Sequence, residues 1–102
     1  MIIVMGHIKF ADGEIERLAD AMNEQLAATN AEDGCELYAF SRDVADPSLI
    51  RISERWRDGA ALAAHSASPH MKTFNKAMGG AQVLDISVKA YENGEVKTLI
   101  GK

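Results

Sequence analysis

The sequence predicts an α+β domain with its elements in the order β-α-β-β-α-β, and three observations carry that expectation. At 102 residues, 47% of them hydrophobic, the chain is long enough to bury one core and too short for two, so one domain spanning 1–102 is expected. Residues 2–10, 35–41, 49–56 and 83–91 have the apolar enrichment or alternation of strands. Residues 12–26 and 58–78 carry apolar residues at helical spacing, the second stretch broken once.

The first strand, 2–10, is rich in Ile, Val and Phe. A helix follows, for which Asp12 is the expected cap, with Glu14 and Glu16 suiting its positive end and Ile15, Leu18, Ala19, Met22 and Leu26 forming one apolar stripe. Asn30-Ala31-Glu32-Asp33-Gly34 is a turn cluster. The next strand alternates, with Cys35, Leu37 and Ala39 on one face and Glu36, Tyr38 and Phe40 on the other. Past a loop containing Asp46-Pro47, a third strand puts Ile50, Ile52, Glu54 and Trp56 on a shared face. Asp58 caps a short helix through His65, and Ser68-Pro69 starts another, whose inner side is expected to carry Met71, Phe74, Asn75 and Met78. Val83 to Tyr91 is the last strand, Glu92-Asn93-Gly94-Glu95 a turn, and Val96 to Ile100 a tail with the composition of an additional edge strand.

This order is that of a ferredoxin-like fold, a four-stranded antiparallel sheet with its helices on one face. The other face is left bare. The expectation is that it carries Tyr38, Phe40, Ile50, Ile52 and Trp56, and that a homodimer packed sheet to sheet covers it, closing a dimeric α+β barrel.

Composition removes several classes of function. A net charge of −4 and a pI near 5.3, with scattered Lys and Arg, leave no basic surface for nucleic acid. The apolar start, Met1 to Met5, is too short for a membrane span and has no basic segment before it. The lone Cys35 reads as a small packed residue in a chain suited to a reducing cytoplasm. No Gly-rich phosphate loop, nucleophile elbow or Rossmann pattern is present, and His65 and His70, five apart across a proline, do not share a helix face, so no metal is expected.

Glu54-x-Trp56-x-Asp58, followed by Leu62, His65, Ser68, Pro69-His70 and Phe74, resembles the antibiotic biosynthesis monooxygenase family, especially its small quinol monooxygenase type. Gly34-Cys35-x-x-Tyr38, Arg42-Asp43 and Asp46-Pro47 extend the resemblance over essentially the whole chain. It implies a dimer that oxidises a phenolic or quinol substrate with molecular oxygen, using neither metal nor flavin. A related haem-degrading branch looks to use an asparagine on the first strand, where this chain has Met5, Gly6 and His7. A branch acting on phosphorylated sugars needs a basic pocket, for which Lys9, Arg42 and Lys72 are the available residues.

Oxidising a quinol calls for a base titrating near neutrality and a dry, flat pocket. The family's matching histidine makes His65 the first choice of base. His70, in the first turn of the last helix, faces a positive helix end that favours a neutral imidazole. Trp56 offers a stacking surface for an aromatic substrate. Glu54, a carboxylate on an apolar face, needs a partner: His65 or His70, as an orienter of the base, or Arg42, Arg51 or Arg55 in a structural bridge. His7 reaches toward the same pocket from the first strand, and Tyr38, Phe40, Met71, Phe74 and Ile86 are its expected walls. Two rival functions stay open: a dimeric module binding a small apolar ligand or serving in stress response without catalysis, and an isomerase or lyase using the same residues without oxygen.

Overall fold

The protein is described by a computed structural model for residues 1–92, 94 and 96–101. Seven elements follow one another: β1 (Ile2–Phe10), α1 (Glu14–Asn30), β2 (Cys35–Arg42), β3 (Leu49–Trp56), α2 (Gly59–Ser66), α3 (Pro69–Met78) and β4 (Val83–Glu92). The strands form one antiparallel sheet in the order β2-β3-β1-β4, the ferredoxin-like arrangement, with the expected second helix split into α2 and α3.

The split follows from the caps. Asp58 Oδ1 accepts from the Ala61 N–H at 2.9 Å and begins α2, while Ser68 Oγ accepts from the Met71 N–H at 3.2 Å with Pro69 opening α3. At α1 the expected cap fails. Gly13, at φ 84°, holds the N-cap position with no side-chain bond, and Asp12 lies one residue too early, facing the Ser48 hydroxyl. A left-handed turn is available to glycine at little cost, and it re-aims the chain before Asp12 can reach the helix.

Register fixes which side chains meet the helices. Ile2 pairs with Trp56, Val4 with Glu54 and Ile8 with Ile50, while Tyr38 pairs with Glu54 and Phe40 with Ile52. All of these lie on the helix side. One core cluster joins Ile8, Phe10, Ile50 and Ile52 to Ile15, Leu18 and Met22 of α1, and another joins Ile2, Val4, Tyr38 and Trp56 to Ala61 of α2.

This corrects the expectation for the bare face. Tyr38, Ile50, Ile52 and Trp56 are buried beneath helices, and Phe40 packs against both clusters. The exposed apolar residues lie elsewhere, at Met5, Leu37 and the edge strand β4, where Leu84, Ile86, Val88 and Tyr91 are each about half exposed or more. Alternation in a sequence reveals two faces but not which one the helices cover. Val96 to Ile100 forms no strand, and Val96, Leu99 and Ile100 are exposed. Of the turn expected at 92–95, Asn93 and Glu95 lie outside the described residues. No helix among the described residues is long and apolar enough to cross a membrane.

Candidate functional site

A cavity of about 220 Å³ opens between the sheet and α3. The sheet contributes Tyr38, Phe40, Ile52 and Glu54, α3 contributes Met71, Phe74, Asn75 and Met78, and β4 closes one side with Ile86 and Val88. The five residues expected as walls, Tyr38, Phe40, Met71, Phe74 and Ile86, are all in the lining. Phe40 and Phe74 lie nearly parallel, 5.9 Å apart at 23°, and Tyr38 tilts against Phe40 at 5.2 Å. The helical spacing of Met71, Phe74, Asn75 and Met78 puts one face of α3 over the sheet, which is why this short helix forms a wall.

Among the described residues, Glu54 is the one carboxylate in that lining. Its place follows from the strand repeat, which sets it on the same face as Ile52 and Trp56. Burial raises its pKa above the ordinary 4.5, against the opposing pull of the Trp56 N–H and of His65. Its partner is neither a histidine nor an arginine. Trp56 Nε1 donates to Glu54 Oε1 at 2.9 Å, whereas Arg42, Arg51 and Arg55 pair with Glu16, Asp43 and Glu36. Tyr38 is the other ionisable group of the cavity. Burial pushes its phenol up to about 12, and its oxygen accepts from Gln25 Nε2 at 3.3 Å.

Three of the expected roles change with these positions. Trp56 is fully buried and does not line the cavity, so it offers no stacking surface; its indole instead holds Glu54 and packs against His65, with ring centres 4.7 Å apart. His65 is also buried and outside the lining, because the last turn of α2 sets it behind Tyr38 and Trp56. Its Nδ1 meets Glu32 Oε2 at 2.8 Å, not Glu54. His7 projects from the opposite face of the sheet and pairs with Asp85 at 2.8 Å, since odd-numbered residues of β1 point away from the helices.

His70 approaches Glu32 Oε1 at 3.2 Å through Nε2, and its ring lies in a groove between α1 and α3 instead of in the cavity. Glu32 was hidden in the Asn30–Gly34 turn cluster. Its one signal is electrostatic: the last turn of α1 has no basic residue, yet Glu32 and Asp33 follow its negative end and so need cationic partners from elsewhere. Asp33 takes Arg57, and Glu32 takes the two histidines.

Among the described residues, no cation lines the cavity. Lys9 pairs with Asp46 and Arg42 with Glu16, which leaves the cavity without the basic residues a phosphorylated substrate requires. The lining is apolar apart from Tyr38, Glu54 and Asn75.

The family model of antibiotic biosynthesis monooxygenase matches residues 1–77. Escherichia coli (strain K12) has a relative named "Probable quinol monooxygenase YgiN", 30% identical over 104 residues that cover 92% of this chain and 99% of that one. A crystal structure of a candidate antibiotic biosynthesis monooxygenase from Deinococcus radiodurans superposes with a TM-score of 0.89 at 31% identity, covering 99% of this chain and 100% of the other. PA3566 from Pseudomonas aeruginosa superposes with a TM-score of 0.80 at 26% identity over 92% and 94% of the two chains. Fold and matched span agree: the chain belongs to the antibiotic biosynthesis monooxygenase family.

Proposed function

We propose that this protein is a monooxygenase that oxidises a quinol or related phenol with molecular oxygen, with neither metal nor flavin in the reacting site. The observation that carries this reading is Glu54, a single carboxylate with a raised pKa in an otherwise apolar cavity. Such a group is a stronger base than an exposed carboxylate, and proton transfer by a positioned base is worth about 10²–10⁴ in rate. The similarity to the Escherichia coli relative supports a quinol as the substrate class. A cavity of about 220 Å³ has room for one ring, given that a dry cavity of roughly 150 Å³ binds benzene.

In this mechanism the ring lies between Phe40 and Phe74 on one side and Ile86 and Val88 on the other. Glu54 takes a phenolic proton, and the resulting anion gives up electrons to oxygen. One oxygen atom enters the ring and the other leaves as water, so a quinol becomes a hydroxyquinone and supplies all four electrons itself. Trp56 is a positioning residue, fixing the carboxylate through Nε1–H, and His65 supports the indole from behind. The working unit in this reading is a cytoplasmic homodimer, supported by the lone Cys35 and by the exposed apolar side chains of β4.

The test is oxygen consumption by chelator-treated protein given a series of reduced benzoquinols and naphthoquinols, corrected for spontaneous oxidation. Turnover should fall roughly 100-fold or more in Glu54→Gln. Absent turnover, or turnover that Glu54→Gln leaves intact, refutes the proposal. One observation favours a second reading, a module that binds a small apolar ligand without reacting: His65, His70 and His7 all stand outside the cavity lining. Quinol binding without oxygen uptake would select it, and turnover persisting under anaerobic conditions would select an isomerase or lyase.

A further inference from the structure

We propose that Glu32, His65 and His70 form a binding site for one divalent metal ion of the zinc class. The site is separate from the cavity. Three elements supply it: the turn after α1, the last turn of α2 and the first turn of α3.

The donor atoms are already gathered. His65 Nδ1 lies 2.8 Å from Glu32 Oε2, His70 Nε2 lies 3.2 Å from Glu32 Oε1, and one ligand atom from each of the three residues falls within 4.8 Å of the others. Tetrahedral zinc, with bonds of about 2.0–2.2 Å to nitrogen and oxygen, holds its ligand atoms about 3.3 Å apart. Both measured separations are near that value; they run to the two different oxygens of Glu32, and the His65–His70 separation lies within 4.8 Å, so the ion has to draw the two imidazoles onto one carboxylate oxygen.

A second observation points to a ligand. His70 Nε2 is closed off from solvent and has no hydrogen-bond partner, although it faces the Glu32 carboxylate. A buried imidazole nitrogen left unpaired is costly, and a metal ion satisfies it. Two imidazoles and one carboxylate are a donor set that zinc accepts, with a fourth position left for water. Glu32 and His70 are only partly buried, and the His70 ring borders the groove between α1 and α3.

The supports of the three ligands are local and firm. The Glu32 N–H donates to the Thr29 carbonyl at 3.0 Å, and the Ser68 hydroxyl, which caps α3, donates to the His65 carbonyl at 2.7 Å. The five-residue spacing of His65 and His70 across Pro69 is no obstacle. They need not share a helix face, because they come from two helices that meet at a third element. The ion ties the α2–α3 break to the α1–β2 turn, and the rings of Tyr38 and Trp56 pack against His65.

The experiment is calorimetric titration of the chelator-treated full chain with zinc sulfate, paired with thermal unfolding with and without zinc. One zinc per chain and a higher unfolding temperature with zinc are expected. His70→Gln and Glu32→Gln should each weaken binding roughly 100-fold or more, since even outer-shell changes cost 10–100-fold. His7→Gln, on the other face of the sheet, should bind as the parent does. His70 is partly exposed, so that variant reports on the site even if Glu32→Gln impairs folding. No zinc binding, binding that survives His70→Gln, or binding lost in His7→Gln overturns the site. None of these readouts involves turnover, so zinc binding and quinol oxidation can each fail without the other.

Discussion

Removing the indole N–H from Glu54 should cost stability in a way that depends on whether Glu54 is ionised. Trp56→Phe deletes a 2.9 Å bond to a buried carboxylate, worth about 1.5–3 kcal/mol. It also leaves a void of about 40 Å³, which at about 24 cal/mol per Å³ adds about 1 kcal/mol. The single variant should therefore lose about 2.5–4 kcal/mol, a large part of the 5–15 kcal/mol typical of a whole domain. A double-mutant cycle with Glu54→Gln separates the two contributions, because the void cancels and Gln keeps a neutral acceptor. The coupling that remains is the excess of a charged over a neutral hydrogen bond, about 1 kcal/mol.

The sign of the pH dependence follows from burial. Glu54 has its pKa raised in the folded chain, so the native state holds the proton more tightly than the unfolded chain does. The stability this gives is fully present below the ordinary carboxylate value of 4.5 and is lost as pH rises through the raised value. Glu54→Gln alone should accordingly stabilise the protein at pH 7 and have little effect at pH 4. The cycle's coupling should shrink toward zero at pH 4, where Glu54 is itself a neutral acceptor. Urea midpoints followed by far-UV circular dichroism measure both quantities without relying on the altered tryptophan. A coupling of zero at pH 7, or one that does not change with pH, would refute the claim that Trp56 holds an ionised Glu54.

Two further perturbations test the frame around the site. A Cβ on Gly6 would lie 2.3 Å from the Ser87 carbonyl oxygen and 2.8 Å from Val88 Cα, both backbone atoms of β4, so Gly6→Ala should lower stability by about 1–3 kcal/mol and speed amide exchange along β4. A thermal midpoint equal to the parent's would contradict that packing. Ser68→Ala removes both the α3 cap and the bond to the His65 carbonyl, and should cost about 1–2 kcal/mol by the same measurement, with a larger loss than at an ordinary exposed cap.

Much of the frame is written locally. Asp58 and Ser68-Pro69 start their helices where short-range hydrogen bonding predicts, because a cap acts over three residues. The alternation in β2 and β3 puts Tyr38 and Phe40, and Ile50 through Trp56, on single faces. Which face the helices cover is a matter of tertiary packing, and no local pattern encodes it. Even so, the partner of Glu54 was within reach of local reasoning. Residues i and i+2 of a strand project side by side, so an indole N–H two positions from a buried carboxylate is the nearest donor the backbone can offer.

The position of Glu32 shows what local reasoning cannot reach and what electrostatics can. Nothing in the sequence joins residue 32 to residues 65 and 70; the join is made by packing α2 and α3 against the end of α1. But Glu32 and Asp33 follow a helix whose last turn has no basic residue, so both carboxylates lie in the negative field of the helix end. Positive partners offset that field. Asp33 takes Arg57 at the surface, where ion pairs are worth little. Glu32 is less exposed and takes two imidazoles. A metal ion shared by both rings would neutralise that carboxylate and engage His70 Nε2, which stands 3.2 Å from Glu32 Oε1 without an aligned hydrogen bond.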